Sequence, residues 1–200
     1  ILQVTVIVDK FFYYSHSIMD GRNMEEIELI FPEMRHKSAA LAYKQEHFDH
    51  GEYSIHGSAL LDKMDSYEEW LKMIRDNSDE KTVRSSWVPS STYFAFRKTD
   101  GKLIGMIDFR HQFNEYLRNF GGNIGYSVCP SERKKGYAVQ MLNLILEKAK
   151  QIGLKKVMLS CYQENAASRR TIEKCGGLLE KEIQEPDGKT LQIYWIQIHS

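Results

Sequence analysis

The sequence carries no net charge and has no long apolar run, and each deficit excludes a class of protein. Its 27 basic and 27 acidic side chains cancel, so no overall field attracts the chain to nucleic acid or to an anionic membrane surface. The apolar residues 1–8 lack the basic start of a signal peptide and stop at Asp9, well short of the roughly 20 residues that a membrane span needs. These features predict a cytoplasmic protein that binds neither nucleic acid nor membranes.

Disulfide and metal chemistry also lack support in the sequence. Cys129, Cys161 and Cys175 are odd in number and form no C-x-x-C pair, which argues against a disulfide framework and a zinc ribbon. His47 and His50 have a spacing that two metal ligands could use, but no third ligand accompanies them, so we interpret them as part of a surface helix. We expect no metal site.

The chain has the size and composition of one compact domain. Two hundred residues with 42% hydrophobic content can build a single core, since domains usually contain roughly 100–200 residues. A β-rich stretch at residues 1–23 reads differently from the remainder, and Met24 is a candidate natural start. We expect residues 1–23 to be an extension that precedes a domain at 24–200.

The first half of the chain predicts a strand, two helices and a β-hairpin. Apolar residues alternate in the strands, and a capping box of Ser66 and Glu69 marks the start of the second helix. The dipeptide Asp100-Gly101 suits a tight hairpin turn. The predicted elements are a strand at 27–31, helices at 37–50 and 66–77, and paired strands at 92–97 and 103–110.

The second half predicts a crossover unit, in which a helix joins two strands. One alternating strand runs to Val128, Pro130 ends it, and a helix with one apolar face follows as far as Gly153. A further strand ends at Cys161, and strands joined through a helix in this way lie parallel. A short helix at 166–175 and a hairpin around 186–189 complete the chain. The sequence therefore predicts an α/β fold with a mixed sheet.

The joint between Val128 and the long helix combines small residues with cationic ones. The first turn of a helix has unpaired backbone N–H groups and the positive end of the peptide dipoles, so it binds anions. Small residues at Gly136 and Ala138 let an anion approach this backbone closely. An ordinary basic loop is the alternative interpretation. The candidate anion loop is Arg133-Lys134-Lys135-Gly136-Tyr137-Ala138.

Three spaced motifs make this half of the chain resemble a known family. The pattern Val128-x-Pro130-x-x-Arg133-x-x-Gly136-x-Ala138 resembles the pyrophosphate loop of the GNAT N-acetyltransferases. Downstream, Asn165-Ala166-Ala167-Ser168 and Glu173-Lys174-Cys175-Gly176-Gly177 look like the family's Asn-x-x-Ser helix start and its E-K-x-G ending. The resemblance is strong over residues 122–198.

The resemblance implies a GNAT-type acyl-CoA N-acyltransferase fold whose sheet splays between the strands ending at Cys129 and Cys161. Acetyl-CoA would lie in the resulting cleft, with its pyrophosphate at residues 133–138. Splaying would leave the backbone N–H of Val128 without a strand partner, free to stabilise the oxyanion that forms on amine attack. By the same resemblance Asn165 contacts the pantetheine arm and Ser168 lies near the phosphopantetheine, although Asn165 also suits a plain helix cap.

The sequence departs from the family at both positions that handle protons. Ile172 stands where many members have a Tyr as general acid, and Asn123 stands where others have a Glu as general base. We hypothesise that a water held by Asn123 passes the amine proton to His111 or to Glu115. An ordinary histidine pKa of about 6.5 suits a base at neutral pH.

These features predict an enzyme that transfers the acetyl group of acetyl-CoA directly to an amine. A small-molecule acceptor is preferred over a peptide, and the protein is expected to be a monomer or a homodimer. Asn114 and Tyr162 are further proton-transfer candidates, and an acetyl-cysteine route through Cys129 or Cys161 is an alternative. A non-catalytic acyl-CoA sensor is the rival function. A nucleotide site is disfavoured because the loop lacks the G-x-x-x-x-G-K-[ST] pattern.

A chain that begins at Met24 is expected to fold and to bind acetyl-CoA normally, because the family-like elements begin at about Glu26. Thermal unfolding and acetyl-CoA calorimetry on the shorter and the full chain test this. Aggregation or a large loss of stability in the shorter chain would show that residues 1–23 belong to the domain.

Overall fold

A computed structural model describes residues 25–199. The predicted boundary at residue 23 lies outside the described residues and stays a prediction. No helix within 25–199 is long and apolar enough to cross a membrane. The strands of this part are β1 (Ile27–Ile30), β2 (Ser90–Arg97), β3 (Leu103–Arg110), β4 (Ile124–Val128), β5 (Lys156–Tyr162), β6 (Leu178–Gln184) and β7 (Thr190–Gln197). Its α-helices are α1 (Lys37–Asp49), α2 (Tyr67–Asn77), α3 (Tyr137–Gln151) and α4 (Ala166–Lys174).

Local signals in the sequence set several of these boundaries. Ser66 caps α2, where its Oγ accepts the backbone N–H of Glu69 at 3.2 Å. Gly101 turns the β2–β3 hairpin with a φ of 67°, and Gly153 follows α3 with a φ of 82°. Both φ values lie in the left-handed region that favours glycine. The elements predicted for residues 25–199 are therefore present, with ends shifted by a few residues.

The strands form two antiparallel sheets, whereas the sequence pattern predicts one mixed sheet. The first sheet has the order β1-β2-β3-β4 and the second the order β5-β7-β6. The two strands of the crossover unit, β4 and β5, are the facing edges of different sheets. Within residues 25–199 no ladder joins β4 to β5, which agrees with the splay that the family resemblance implies between these strands.

Asn123, one residue before β4, connects the two sheets. Its backbone N–H donates to the carbonyl of Met158 in β5 at 2.7 Å, and its Oδ1 accepts the N–H of Met158 at 2.8 Å. Its Nδ2 donates to the carbonyl of Arg110 at 3.0 Å, and its own carbonyl accepts the N–H of Arg110 at 2.7 Å. Asn123 therefore holds β3 and β5 together where the two sheets begin to diverge.

Helices cover both faces of the first sheet. Alternation along β3 directs Ile107 and Phe109 into a core with Met141 and Leu142 of α3. On the opposite face Met106 joins a second core, formed largely by α1, α2 and β2. There Trp70 stacks on Phe94 with ring centroids 5.6 Å apart. This second core anchors the segment between α1 and α2 beside β4.

A buried carboxylate supports the loop before α3. Glu132 is 5% exposed and accepts hydrogen bonds from Arg97 at 2.9 Å, Lys102 at 2.7 Å and Lys135 at 2.8 Å. Burial by itself raises the pKa of Glu132, but the hydrogen bonds from Lys102 and Lys135 outweigh it and bring the pKa to about 2. The charged form of Glu132 is therefore part of the folded structure.

Glu132→Gln is expected to lower the free energy of unfolding at neutral pH by about 3 kcal/mol, as when one partner of a buried ion pair is removed. Because the folded pKa of Glu132 is depressed, its stabilisation exists above the unfolded value of 4.5 and is lost as the pH falls towards about 2. Urea unfolding at several pH values should therefore show a weaker loss of stability at acidic pH in the variant. The exposed Glu180→Gln is the control and should behave as wild type.

Candidate active site

A cleft of about 1830 Å³ opens where β4 and β5 diverge. Residues 124–128 of β4 form one wall and residues 160–162 of β5 form the other. Residues 51–57, between α1 and α2, also line it, as do the aromatic side chains of Tyr116 and Phe120. The cleft therefore extends from the facing sheet edges towards the segments that precede α2 and β4.

The edge of β4 that faces this cleft carries unpaired backbone donors. In the antiparallel β3–β4 pair the N–H of Cys129 donates to the carbonyl of Ile104 at 2.8 Å, so alternation directs the N–H groups of Val128 and Tyr126 to the opposite edge. Because β4 is the last strand of its sheet, no ladder within residues 25–199 satisfies them. The carbonyl of Val128 accepts from Arg133 Nε at 3.1 Å, which holds this part of the backbone in place.

The loop before α3 has the geometry of an anion site. Gly136 is the N-cap of α3 with a φ of 88°, and no side chain caps this helix. The backbone N–H groups of Tyr137 and Ala138 have no intrahelical acceptor, since they lie in the first turn. Residues 136–138 all line the cleft. A diphosphate placed here would meet free backbone donors and the positive end of a helix of 15 residues.

Two of the three cations of this loop are paired within the protein. The guanidinium of Arg133 binds both carboxylate oxygens of Glu52 at 2.5 Å, and these hydrogen bonds lower the pKa of Glu52 to about 2. Lys135 is bound to Glu132 at 2.8 Å. Of these three cations, Lys134 lines the cleft and has no ion-pair partner within residues 25–199.

The family description "Acetyltransferase (GNAT) domain" matches residues 34–177. The chain belongs to the GNAT acetyltransferase family. No curated protein sequence matches this GNAT acetyltransferase, but many solved structures share its fold.

Three of these structures illustrate the range of relatives. The microcin C7 self-immunity acetyltransferase MccE, in complex with acetyl-CoA and AMP, has a TM-score of 0.64 at 21% identity, covering 86% of this chain and 93% of its own. The ribosomal L7/L12 α-N-protein acetyltransferase RimL, in complex with coenzyme A, has a TM-score of 0.63 at 17% identity. The match covers 86% of this chain and 94% of RimL. The spermidine/spermine N-acetyltransferase SpeG from Vibrio cholerae has a TM-score of 0.59 at 15% identity. The match covers 86% of this chain and 93% of SpeG.

Asn165 and Ser168 lie on the β5 side of the GNAT cleft. Asn165 caps α4, where its Oδ1 accepts the N–H of Ser168 at 3.0 Å. The hydroxyl of Ser168 lies 3.0 Å from the hydroxyl of Tyr126, which reaches across from β4. Burial raises the pKa of Tyr126 to about 12, so this phenol keeps its proton at neutral pH. Tyr126 was missed in the sequence because alternation in a strand does not show where a side chain meets another sheet.

The structure does not bring the predicted proton relay together. Asn123 is 1% exposed, and both polar atoms of its side chain bind backbone groups. His111 does not line the cleft; its Nε2 lies 3.0 Å from Ser91 Oγ, and burial lowers its pKa. Glu115 is exposed and also lies outside the cleft lining. The geometry therefore assigns Asn123 to the fold and gives the relay through His111 or Glu115 no support.

A different carboxylate lies in the cleft. Glu185, at the start of the β6–β7 turn, accepts a hydrogen bond from the hydroxyl of Tyr162 at 2.9 Å, and both residues line the cleft. The hydrogen bond to Glu185 raises the pKa of Tyr162. Tyr162 is a predicted candidate, whereas Glu185 was missed because its sequence neighbours indicate only a turn. The antiparallel pairing of β5 and β7 brings this turn beside Tyr162.

The cysteines do not have the properties of nucleophiles. Cys129 is 2% exposed, and burial raises the pKa of its thiol to about 12. Cys161 lines the cleft, but burial raises its pKa as well. Because the thiolate is the reactive form, an acetyl-cysteine route is disfavoured at neutral pH.

The two helical histidines do not converge on a common site. His50 Nδ1 lies 2.8 Å from the backbone carbonyl of Glu46. His47 Nδ1 lies 2.7 Å from Glu52 Oε2, and His47 is 1% exposed, so its interpretation as a surface residue is wrong. Within residues 25–199 no group of three or more His, Cys, Asp or Glu side chains is arranged to hold a metal ion.

Gly136→Val is expected to weaken acetyl-CoA binding at least tenfold, because a branched side chain would occupy the space beside the free N–H groups of α3. Calorimetry on the folded variant measures this. Gly153→Val is the matched control: its φ of 82° imposes a similar backbone strain, but it lies outside the cleft lining. Equal acetyl-CoA affinity in both variants would remove the assignment of the pyrophosphate to this loop.

Proposed function

We propose that this GNAT enzyme transfers the acetyl group of acetyl-CoA directly to a small-molecule amine. The observation that carries the proposal is the presence, on one side of the cleft, of two sets of backbone N–H groups that no ladder or helix bond satisfies within residues 25–199: one at the edge of β4 and one in the first turn of α3. An acyl-CoA contains carbonyl groups along its pantetheine arm and a diphosphate at its end, which match these two sets of donors. A small acceptor is favoured because residues 51–57 and the side chains of Tyr116 and Phe120 flank the remaining part of the cleft.

The cofactor end of the cleft would be held by backbone and by a basic rim. The N–H groups of residues 136–138 receive the pyrophosphate, while Lys134, Arg170 and Lys174 line the cleft and supply positive charge. Asn165 keeps its Nδ2 available to donate to the pantetheine arm while its Oδ1 caps α4. Arg133 acts by holding the carbonyl of Val128 and the carboxylate of Glu52.

The acyl carbonyl would be bound at the free edge of β4. The N–H groups of Val128 and Tyr126 point into the cleft, and one of them binds the thioester oxygen while the other binds the pantetheine arm. Such a donor stabilises the oxyanion that develops when the amine attacks. Removing one donor of this kind typically slows a reaction about 10²–10³-fold.

A base is needed because the acceptor amine is largely protonated at neutral pH. An amine with a pKa of about 10.4 is neutral in roughly one molecule in a thousand at pH 7.4, which adds about 4 kcal/mol to the barrier. Of the carboxylates that line the cleft, Glu52 is bound to Arg133 and Glu132 to three cations. Glu185 has only the hydrogen bond from Tyr162 within the described residues. We therefore assign the role of base to Glu185.

The leaving thiolate needs a proton, and the pair formed by Tyr126 and Ser168 can supply it. Both hydroxyls lie in the cleft, and their separation of 3.0 Å lets Ser168 donate while Tyr126 restores its proton. Burial raises the pKa of Tyr126 to about 12, well above neutral pH, so its phenol is protonated there. This pair takes the place of the family tyrosine at Ile172, whose side chain is fully buried in the core.

Release of free thiol from acetyl-CoA with a panel of amines tests the function. Turnover supports the enzyme, whereas tight acetyl-CoA binding without thiol release for any amine would support a sensor instead.

With a confirmed acceptor, Glu185→Gln should lower kcat about 10²-fold or more and remove the acid limb of the pH profile, with little change in acetyl-CoA affinity. Tyr126→Phe should lower kcat and keep that limb.

His111→Ala and Glu115→Gln are the controls for this assignment, and both should retain the wild-type kcat and acid limb. If either of these variants loses the acid limb of the pH profile while Glu185→Gln keeps it, the base is the residue predicted from the sequence. The assignment to Glu185 is then wrong.

A further inference from the structure

A side chamber of about 380 Å³ joins the acceptor part of the cleft. The segment 54–57, Arg110 and Tyr116 line both spaces, so a molecule in the cleft can extend into the chamber. Its other walls include Trp87 and the polar side chains of Asn77, Asp62 and Asp108. A volume of this size holds a small polar molecule.

The carboxylates of the chamber are already satisfied. Asp108 is 5% exposed; its Oδ1 accepts from Thr92 Oγ1 at 3.0 Å and its Oδ2 lies 3.2 Å from Arg110 Nε. The side chain of Asp62 is also 5% exposed; it accepts from Ser58 Oγ at 2.8 Å and lies 3.4 Å from Lys63 Nζ. Each acid is thus neutralised by a cation and has few free lone pairs. A second cation placed beside Arg110 and Lys63 would be repelled.

Arg110 has donors that the rest of the protein does not use. Its Nη1 makes one long hydrogen bond of 3.5 Å to the carbonyl of Gly122, and within residues 25–199 its Nη2 has no acceptor. Its side chain is 26% exposed, so the guanidinium faces the junction of cleft and chamber. A planar guanidinium with free N–H groups is well suited to bind an oxyanion through two hydrogen bonds.

Asn77 adds the complementary group. It is 3% exposed and its Oδ1 has no hydrogen-bond partner within the described residues. A buried carbonyl oxygen without a donor destabilises the fold, and a ligand N–H or O–H in the chamber would satisfy it. The free N–H groups of Arg110 and the free Oδ1 of Asn77 would therefore be satisfied by a ligand with several acceptor atoms and at least one donor.

The position of Arg110 relates this ligand to the acetyl-transfer site. Its Nη2 lies 3.6 Å from the point that a Cβ on Gly125 would occupy. Gly125 directly precedes Tyr126 and stands three residues before Val128, a span of about 3–10 Å along a strand. An anionic group held by Arg110 would thus leave the amine of a small molecule within reach of the free edge of β4.

We infer that Arg110 and the side chamber form the acceptor subsite, and that the acceptor is a small amine carrying an oxyanion, either a carboxylate or a phosphoryl group. This inference rests on the proposed amine acetylation and names its substrate class. Polyamines and simple alkyl amines are expected to bind more weakly. A polyamine would place a second cation beside the guanidinium of Arg110, and a simple alkyl amine would place an uncharged group there.

The test compares amines that differ by one anionic group. Ethanolamine, which has no anionic group, is the reference; L-serine carries a carboxylate, O-phosphoethanolamine a phosphoryl group, and cadaverine a second amine. Calorimetry on the CoA-saturated protein is expected to show at least tenfold tighter binding of L-serine or O-phosphoethanolamine than of ethanolamine, and which of them leads identifies the oxyanion. Cadaverine or ethanolamine binding as tightly as both anionic amines, or no measurable binding of either anionic amine, overturns the inference.

Substitutions at Arg110 and Asp108 test whether the preference for anionic amines arises in the side chamber. Arg110→Gln leaves Asp108 buried without its cation, so it is combined with Asp108→Asn, and the double variant should lose the anion preference while binding acetyl-CoA as wild type does. Asp108→Asn alone should keep most of the preference, and Arg118→Gln, an exposed arginine outside the cleft lining, should keep all of it. A preference that survives in the folded double variant also overturns the inference.

Failure of this inference and failure of the proposed function give different results. Thiol release with cadaverine or ethanolamine, unaffected by the Arg110 substitution, leaves the acetyltransferase in place and removes the subsite. Selective anion binding without thiol release from any amine keeps the subsite and removes catalysis.

Discussion

The site depends on the four hydrogen bonds that Asn123 makes between β3 and β5. Backbone and side chain of this one residue connect Arg110 to Met158, so the two sheets are joined at one point and diverge beyond it. If β4 and β5 formed a full ladder, the N–H groups of Tyr126 and Val128 would be satisfied by β5 and unavailable to a thioester. A carboxylate in place of Asn123 could not donate to the carbonyl of Arg110, which explains why an amide suits this position.

Several of the charges around the candidate anion loop are paired within the protein. Glu132 neutralises cations beneath the loop, and Glu52 neutralises Arg133 at its surface. The candidate anion site therefore consists mainly of backbone N–H groups at the start of α3, and Lys134 is the cation of the loop that has no ion-pair partner within residues 25–199. This arrangement holds the backbone that leads into Gly136, because Glu132, Arg133 and Lys135 are each paired just before it.

The part of the cleft that we propose for the acceptor is lined by segments far apart in the sequence. Residues 51–57 rest on β4, where Gly57 and Gly125 approach so closely that a Cβ on Gly57 would collide with the carbonyl of Gly125. This contact places the segment between α1 and α2 beside Arg110 and the free edge. Gly57 and Arg110 line both the cleft and the side chamber, so the two spaces meet beside this contact.

The sequence by itself determined the order of elements and the family, and it located the candidate anion loop at residues 133–138. These depend on local signals: the cap at Ser66, the turn at Gly101, and the small residues at the start of α3, each of which acts within a few residues. The split into two antiparallel sheets, the bonds of Asn123, and the roles proposed for Tyr126, Glu185 and Arg110 were decided only by the tertiary structure. They depend on which strand edges face each other and on which charges are already paired, as with Arg133 and Glu52, and a linear pattern does not contain contacts between residues 81 positions apart.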